Sequence, residues 1–223
     1  MSDSQDDPTP LEPPSGEPAF NAPGVSLALI AVLAIAYGVQ VYGLPEGAVS
    51  ALALSGAALA EGRWWTLLTH IFLHGSLIHL FMNAGAALAF GPAVARHFGP
   101  GPRAGGAFLL YFLVCGAAGG LGYLATTSDP SILVIGASGA VSGLWGGAAR
   151  LLGRWRGLWG VFEGPVRAQI IVVIVLNVLI GVAGLVFDGV NIAWQAHIAG
   201  FLTGLLLVGV FTRLARTGYR EER

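Results

Sequence analysis

Six runs of roughly 20 mostly apolar residues dominate the chain, at about 24–44, 73–92, 104–126, 132–150, 168–187 and 192–213. A helix needs ~20 such residues to cross the hydrocarbon core of a bilayer. Inside lipid every backbone polar group must find a partner within the protein, so spanning segments of this kind are helices. The sequence therefore predicts an all-α polytopic membrane bundle of six transmembrane helices. Polar residues interrupt the second and fourth runs. Residues 45–72, with Pro45, Glu46, Glu61 and Arg63, are too polar for a seventh span. Trp64 and Trp65 mark that stretch as an interfacial loop between helices 1 and 2.

Composition narrows the class. Charged residues make up 10% of the chain, against about 25% in soluble domains, and the mean hydropathy is +0.72. That excludes an ordinary soluble protein and a disordered chain. Eleven basic residues, all arginine, against 12 acidic ones leave no basic surface for a phosphate backbone, so no nucleic-acid partner is expected. A single cysteine, Cys115, excludes a disulfide framework and a cysteine-based zinc site.

Residues 1–22 are acidic and proline-rich and read as a disordered tail. They lack the positive n-region of a signal peptide. Residues 23–214 form the membrane domain, and 215–223 a short charged C-terminal tail. With six spans, Arg96, Arg103, Arg150, Arg154, Arg156 and Arg167 share one side with Arg213, Arg216, Arg220 and Arg223, and only Arg63 lies opposite. The positive-inside rule then places both termini in the cytoplasm and the 45–72 loop outside. The Arg-only, Ala- and Gly-rich usage points to a GC-rich prokaryote and its plasma (inner) membrane.

Several polar side chains interrupt the apolar runs. His79 and Asn83 share one helix face, four residues apart. Ser138 lies in Gly136-Ala137-Ser138-Gly139, and His197 lies in the last run. Counted from the outer end, Ser138 and His79 fall about six residues into their runs and His197 about five, a common depth of roughly 10 Å. Polar groups inside a span mark function by default. Ser138, Ser142 and Gly146 make one small-residue stripe, Gly139, Gly143 and Gly147 a second, and Ala196, Gly200 and Gly204 a third. Such stripes let helices pack closely in lipid and would bring Ser138 near His197.

A serine hydroxyl becomes a nucleophile when a neighbouring base takes its proton, and a neutral imidazole suits that task near pH 7. A tetrahedral intermediate needs donors aimed at its oxyanion. The glycines around Ser138, a helix start at Ser138, and the His79 and Asn83 side chains would supply them. Asp129 and Asp188 sit at loop ends, so a Ser–His dyad without a carboxylate is expected.

The segments Trp64-Trp65-Thr66-Leu67-Leu68-Thr69, His74 to His79-Leu80-Phe81-Met82-Asn83, Gly136-Ala137-Ser138-Gly139 and Ala196-His197-Ile198-Ala199-Gly200-Phe201-Leu202-Thr203-Gly204, in that order, resemble the rhomboid intramembrane serine proteases over roughly 45–213. The resemblance implies Ser138 as nucleophile, His197 as base, and His79 and Asn83 lining the oxyanion hole. It implies another protein's transmembrane segment as substrate, cut near its outer end and often beside small residues. It implies no metal or cofactor, and a fifth span acting as a lateral gate. Three positions depart from the family pattern. Thr66 replaces an arginine, Ala95 an acidic residue, and Ser142 an aromatic that packs on the catalytic histidine.

Other readings compete. A serine in a membrane helix is more often packing than nucleophile, and His197 alone would serve as an interhelical hydrogen-bonding residue. His70 and His74 have a chelating spacing, but no inward carboxylate or cysteine joins them, and His74 is expected to support the loop by hydrogen bonds. Cys115 reads as packing. A client-binding relative without catalysis stays open because of Ser142. A transporter would show internal repeats, and the two halves carry different motifs. Nothing in the sequence sets an oligomeric state.

Overall fold

The computed structural model describes residues 22–153, 157–186 and 192–217. The acidic N-terminal tail through residue 21, Arg154, Arg156, Asp188 and the charged end from 218 lie outside the described residues. Helices follow one another as α1 (Gly24–Tyr42), α2 (Ala48–Leu52), α3 (Gly56–Ala60), α4 (Thr66–Thr69), a 3-10 turn at His70–Phe72, α5 (Leu77–Phe98), α6 (Pro102–Leu124), α7 (Ser138–Ala149), α8 (Gly164–Val186) and α9 (Trp194–Arg216). Five of them, α1, α5, α6, α8 and α9, are long and apolar enough to cross a membrane. Together with α7 they occupy the six apolar runs, and the fold class is the expected polytopic helical bundle.

The fourth run departs from expectation. A 12-residue α7 is about 18 Å long, short of the ~30 Å hydrocarbon core. Residues 132–137, assigned to a span by apolarity, do not form helix. Val134 instead exchanges two backbone hydrogen bonds with Leu54, at 3.1 and 2.7 Å, and Gly136 N–H donates to the His70 carbonyl at 2.9 Å. Gly136 takes a φ of +119°, a conformation that only glycine adopts readily and that no helix continues through. Apolarity does not dictate conformation, and this segment runs as irregular chain braced by the loop, with Val134, Gly136 and Ala137 buried.

That loop is α2 to α4 with the 3-10 turn. Ala57 N–H donates to the Pro130 carbonyl at 2.9 Å, so the loop grips the approach to α7 at both Leu54 and Ala57. Trp64 and Trp65 stay exposed, as interfacial anchors would. From α1, Gln40 closes on the loop's far end, donating to the His74 carbonyl at 2.7 Å and accepting from His74 N–H at 2.9 Å.

α7 packs against α5, α6 and α9 and buries nine of its 12 residues, among them Gly139, Gly143, Gly146 and Gly147. Its glycines are the condition for that position. A Cβ on Gly200 would fall on the Gly139 carbonyl, one on Gly204 on the Gly143 carbonyl, and one on Gly146 on the Phe201 carbonyl. Backbones therefore touch where α7 crosses α9. Tyr111 of α6, fully buried, ties the crossing together. Its hydroxyl faces the Gly204 carbonyl at 2.8 Å and the Gly143 carbonyl at 3.0 Å, one from each helix. Its single proton serves the two acceptors in turn or as a shared donor. Tyr111→Phe leaves these carbonyls without that donor and is expected to cost about 1–3 kcal/mol, read as a lower midpoint of unfolding in mixed micelles.

α8 is different. It buries only Val166, Val173 and Asn177 along 23 residues and leans mainly on α9. Among the five long spans, the most apolar one is thus the least embedded in the protein.

Candidate active site

Each candidate side chain sits at the start of a helix. Ser138 is the first residue of α7, His79 the third of α5, and His197 the fourth of α9. The expected position five to six residues inside each span is corrected, because the helices begin later than the apolar runs. For α5 the cause is local: the Ser76 hydroxyl accepts from His79 N–H at 3.2 Å and caps the helix there. Ser138, His79, Asn83 and His197 all line one cavity of about 700 Å³, with Ser142 and Trp145 on the same wall.

Because α7 begins at Ser138, the first N–H groups of that helix have no intrahelical acceptor and stand beside the hydroxyl. Gly136, two residues earlier, lets His79 come close. A Cβ there would lie 2.7 Å from Cε1 and 2.8 Å from Nε2 of His79. The far nitrogen of that ring, Nδ1, is 3.4 Å from the N–H of Gly75, so the Nε2 edge faces the Gly136 backbone. Asn83 is buried, and one of its amide protons goes to the His79 carbonyl at 3.1 Å. Gly139, Gly200 and Gly204 act through the helix crossing described above.

Among the described residues no hydrogen bond joins Ser138 to His197; the shared cavity is what relates them. The Nδ1 of His197 is engaged instead by Asn177 of α8, at 3.0 Å from Oδ1. Sequence reasoning passed over Asn177. It is neither ionisable nor part of a motif, and the only signal was an amide in the middle of a run whose other amide, Gln169, lies at its start.

The other histidines divide differently than expected. His70 supports the loop, its Nδ1 2.8 Å from the Thr66 carbonyl. Burial pushes its imidazole down to about 4, against the opposing pull of the Thr66 and Leu67 carbonyls. His74 is tied to α1 through its backbone, which exchanges two hydrogen bonds with Gln40. The ring packs edge-on between Tyr37 and His79, at 6.4 and 5.2 Å. Burial and then the nearby His79 push it down to about 4. Among the described residues no three His, Cys, Asp or Glu side chains converge as a metal site.

The three departures have local explanations. Thr66 is fully buried and donates its hydroxyl proton to the Arg63 carbonyl at 2.7 Å. Ala95 is buried in the main core cluster beside Phe98. Ser142 leaves the cavity wall without an aromatic at that turn. Trp145, one turn on, stacks on Phe90 at 5.1 Å and meets Phe201 edge-on, and its indole N–H bonds Gln169 at 2.8 Å.

An all-helical membrane bundle with a serine at the head of a short buried helix, facing two histidines across one cavity, defines an integral membrane protein of a narrow class. The rhomboid domain model matches residues 61–214, and the chain belongs to the rhomboid family. It is similar to the rhomboid protease GluP of Bacillus subtilis, 34% identical over 152 residues that cover 68% of this chain and 27% of that one. It is 31% identical to the putative rhomboid protease YdcA of the same organism, over 67% of this chain and 68% of the relative. RHOMBOID-like protein 5 of Arabidopsis thaliana is 31% identical over 75% of this chain and 50% of its own length. The chain thus matches only about a quarter of GluP and half of the plant relative.

Proposed function

We propose that this chain is an intramembrane serine endopeptidase that cuts transmembrane segments of other membrane proteins near their outer end. The observation that carries the reading is the convergence of Ser138, His197, His79 and Asn83, from three helices, on one cavity. Ser138 Oγ attacks the scissile carbonyl carbon as its proton passes to Nε2 of His197. The oxyanion is met by N–H groups at the start of α7 and by the side chains of His79 and Asn83. His197 then gives the proton to the leaving amine, and an acyl-enzyme remains on Ser138. Water, activated by the same imidazole, hydrolyses it. Every step uses groups of the chain and water, and no cofactor enters.

Substrate reaches the cavity from the bilayer past α8, the least buried of the five long spans. The protein is placed in a prokaryotic plasma membrane with both termini cytoplasmic and the cavity open outward. The test is cleavage in vesicles of a single-pass substrate carrying small, helix-weakening residues near its outer end. The full chain is expected to cut within the outer third of that segment, with no product from Ser138→Ala. Cleavage that survives Ser138→Ala would contradict the assignment.

A second reading, a client-binding relative without catalysis, draws on Ser142 and on the missing Ser138–His197 hydrogen bond. It is favoured if the folded protein binds such a segment and releases it uncut.

A further inference from the structure

We propose that Asn177 is the positioning residue of His197, so that the orientation of the base depends on α8 being docked. The proposal rests on the Ser138–His197 reading and adds to it a third group on a helix outside the motifs.

The argument starts from the amide. Asn177 is 5% exposed, on a helix that otherwise buries only Val166 and Val173. A buried amide is costly unless both ends are bonded. Here Nδ2 donates to the Val173 carbonyl at 2.7 Å, and Oδ1 lies 3.0 Å from Nδ1 of His197. The first bond fixes the direction of the second. Turning the amide over would set Oδ1 against the Val173 carbonyl oxygen, two acceptors at donor–acceptor distance. With Oδ1 toward the ring, Nδ1 must carry the proton. The lone pair then resides on Nε2, the nitrogen that has to accept the Ser138 proton. The hydrogen bond on one ring nitrogen thereby selects the tautomer that makes the other nitrogen a base.

Such a group has a reason to exist in this chain. Ser142 gives no ring to pack on His197, and Trp145 is committed to Phe90 and Phe201. An amide from α8 supplies orientation in place of a ring. It also makes orientation conditional. α8 has little buried surface to hold it, and an outward shift of about 1 Å would stretch the 3.0 Å contact beyond hydrogen-bond range. The base is then set when α8 is seated and released when α8 moves away.

The experiment uses the full chain with Asn177→Leu, which keeps the volume and removes the acceptor, and Asn177→Asp, which keeps an acceptor at the same reach. Three readouts are taken: the rate of Ser138 labelling by a fluorophosphonate probe, kcat and KM on a transmembrane substrate, and 15N shifts of the His197 ring. Asn177→Leu is expected to slow labelling and lower kcat about 10–100-fold, the scale seen when the hydrogen-bond partner of a metal-bound imidazole is lost, with KM within about twofold. Its His197 ring is expected to leave the Nδ1–H form that the wild type shows. Asn177→Asp is expected to restore labelling to within about tenfold of wild type. Unchanged labelling and tautomer in Asn177→Leu would overturn the proposal and leave the protease reading intact. A loss in both variants with the wild-type tautomer retained would assign Asn177 a purely structural role and also overturn it. A folded wild type that never labels would remove the Ser138–His197 reading itself, and this proposal with it.

Discussion

His197→Ala is expected to lower peptide-bond hydrolysis by at least about 10⁴-fold, Ser138→Ala by as much, and the double variant by no more than either alone. The equality follows from the chemistry. Without the base the hydroxyl keeps its proton; without the hydroxyl the base has nothing to activate. Each variant removes the same step, so the losses do not add. What remains is catalysis by the oxyanion donors and by binding, which survives at a low level when a nucleophile–base pair is removed. Neither side chain makes a bond that holds the α7–α9 crossing, so Ser138→Ala is expected to fold near wild type, and His197→Ala to lose about 1–3 kcal/mol for the buried Asn177 oxygen it leaves unpaired. The check is steady-state cleavage of a reconstituted substrate by the three variants, with thermal unfolding measured beside it.

Gly200→Val, which adds three carbons at the helix crossing, is expected to cost about 3 kcal/mol of stability. The first added carbon falls on the carbonyl of Gly139, which is backbone and has no flexible end to swing away. α7 and α9 must separate, and every backbone contact along the crossing loosens with them, including those under Tyr111. Activity is expected to fall beyond the loss of folded protein, because Ser138 and His197 ride on the two helices being pushed apart. A control separates crowding from the general effect of filling a glycine. Gly85 and Gly106 lie in α5 and α6 with nothing within 4 Å of an added Cβ, so alanine there is expected to be neutral or to stabilise by up to about 1 kcal/mol. Unfolding in mixed micelles, run on all three variants, gives the comparison.

Much of this bundle was legible in the sequence because lipid imposes a single requirement, a long apolar helix, and five runs meet it. The small-residue stripes were legible for a similar reason: only Gly and Ala let backbones meet, and Gly139, Gly143, Gly200 and Gly204 do meet. Helix starts were less legible. Residues 73–76 and 132–137 were counted into spans and are not helical, though Leu73, His74, Val134 and Ala137 are buried. What ends the helix there is the Ser76 cap and the left-handed Gly136, and hydropathy registers neither. The bonds between the His74 backbone and Gln40, 34 residues away, were not legible because no local pattern announces them. Asn177 was missed because a lone amide has no periodicity; its meaning lies in the distance to His197, a property of the fold. The four candidate site residues were singled out as polar groups in apolar runs, and the structure gathers all four at one cavity.

The most direct measurement is labelling of the purified full chain with a serine-reactive fluorophosphonate, followed by mass mapping of the modified peptide. Wild type is expected to carry the adduct on Ser138, with labelling lost in Ser138→Ala and in His197→Ala. An adduct that persists in Ser138→Ala, or a folded wild-type protein that takes up no probe, would contradict the assignment of Ser138 as a nucleophile activated by His197.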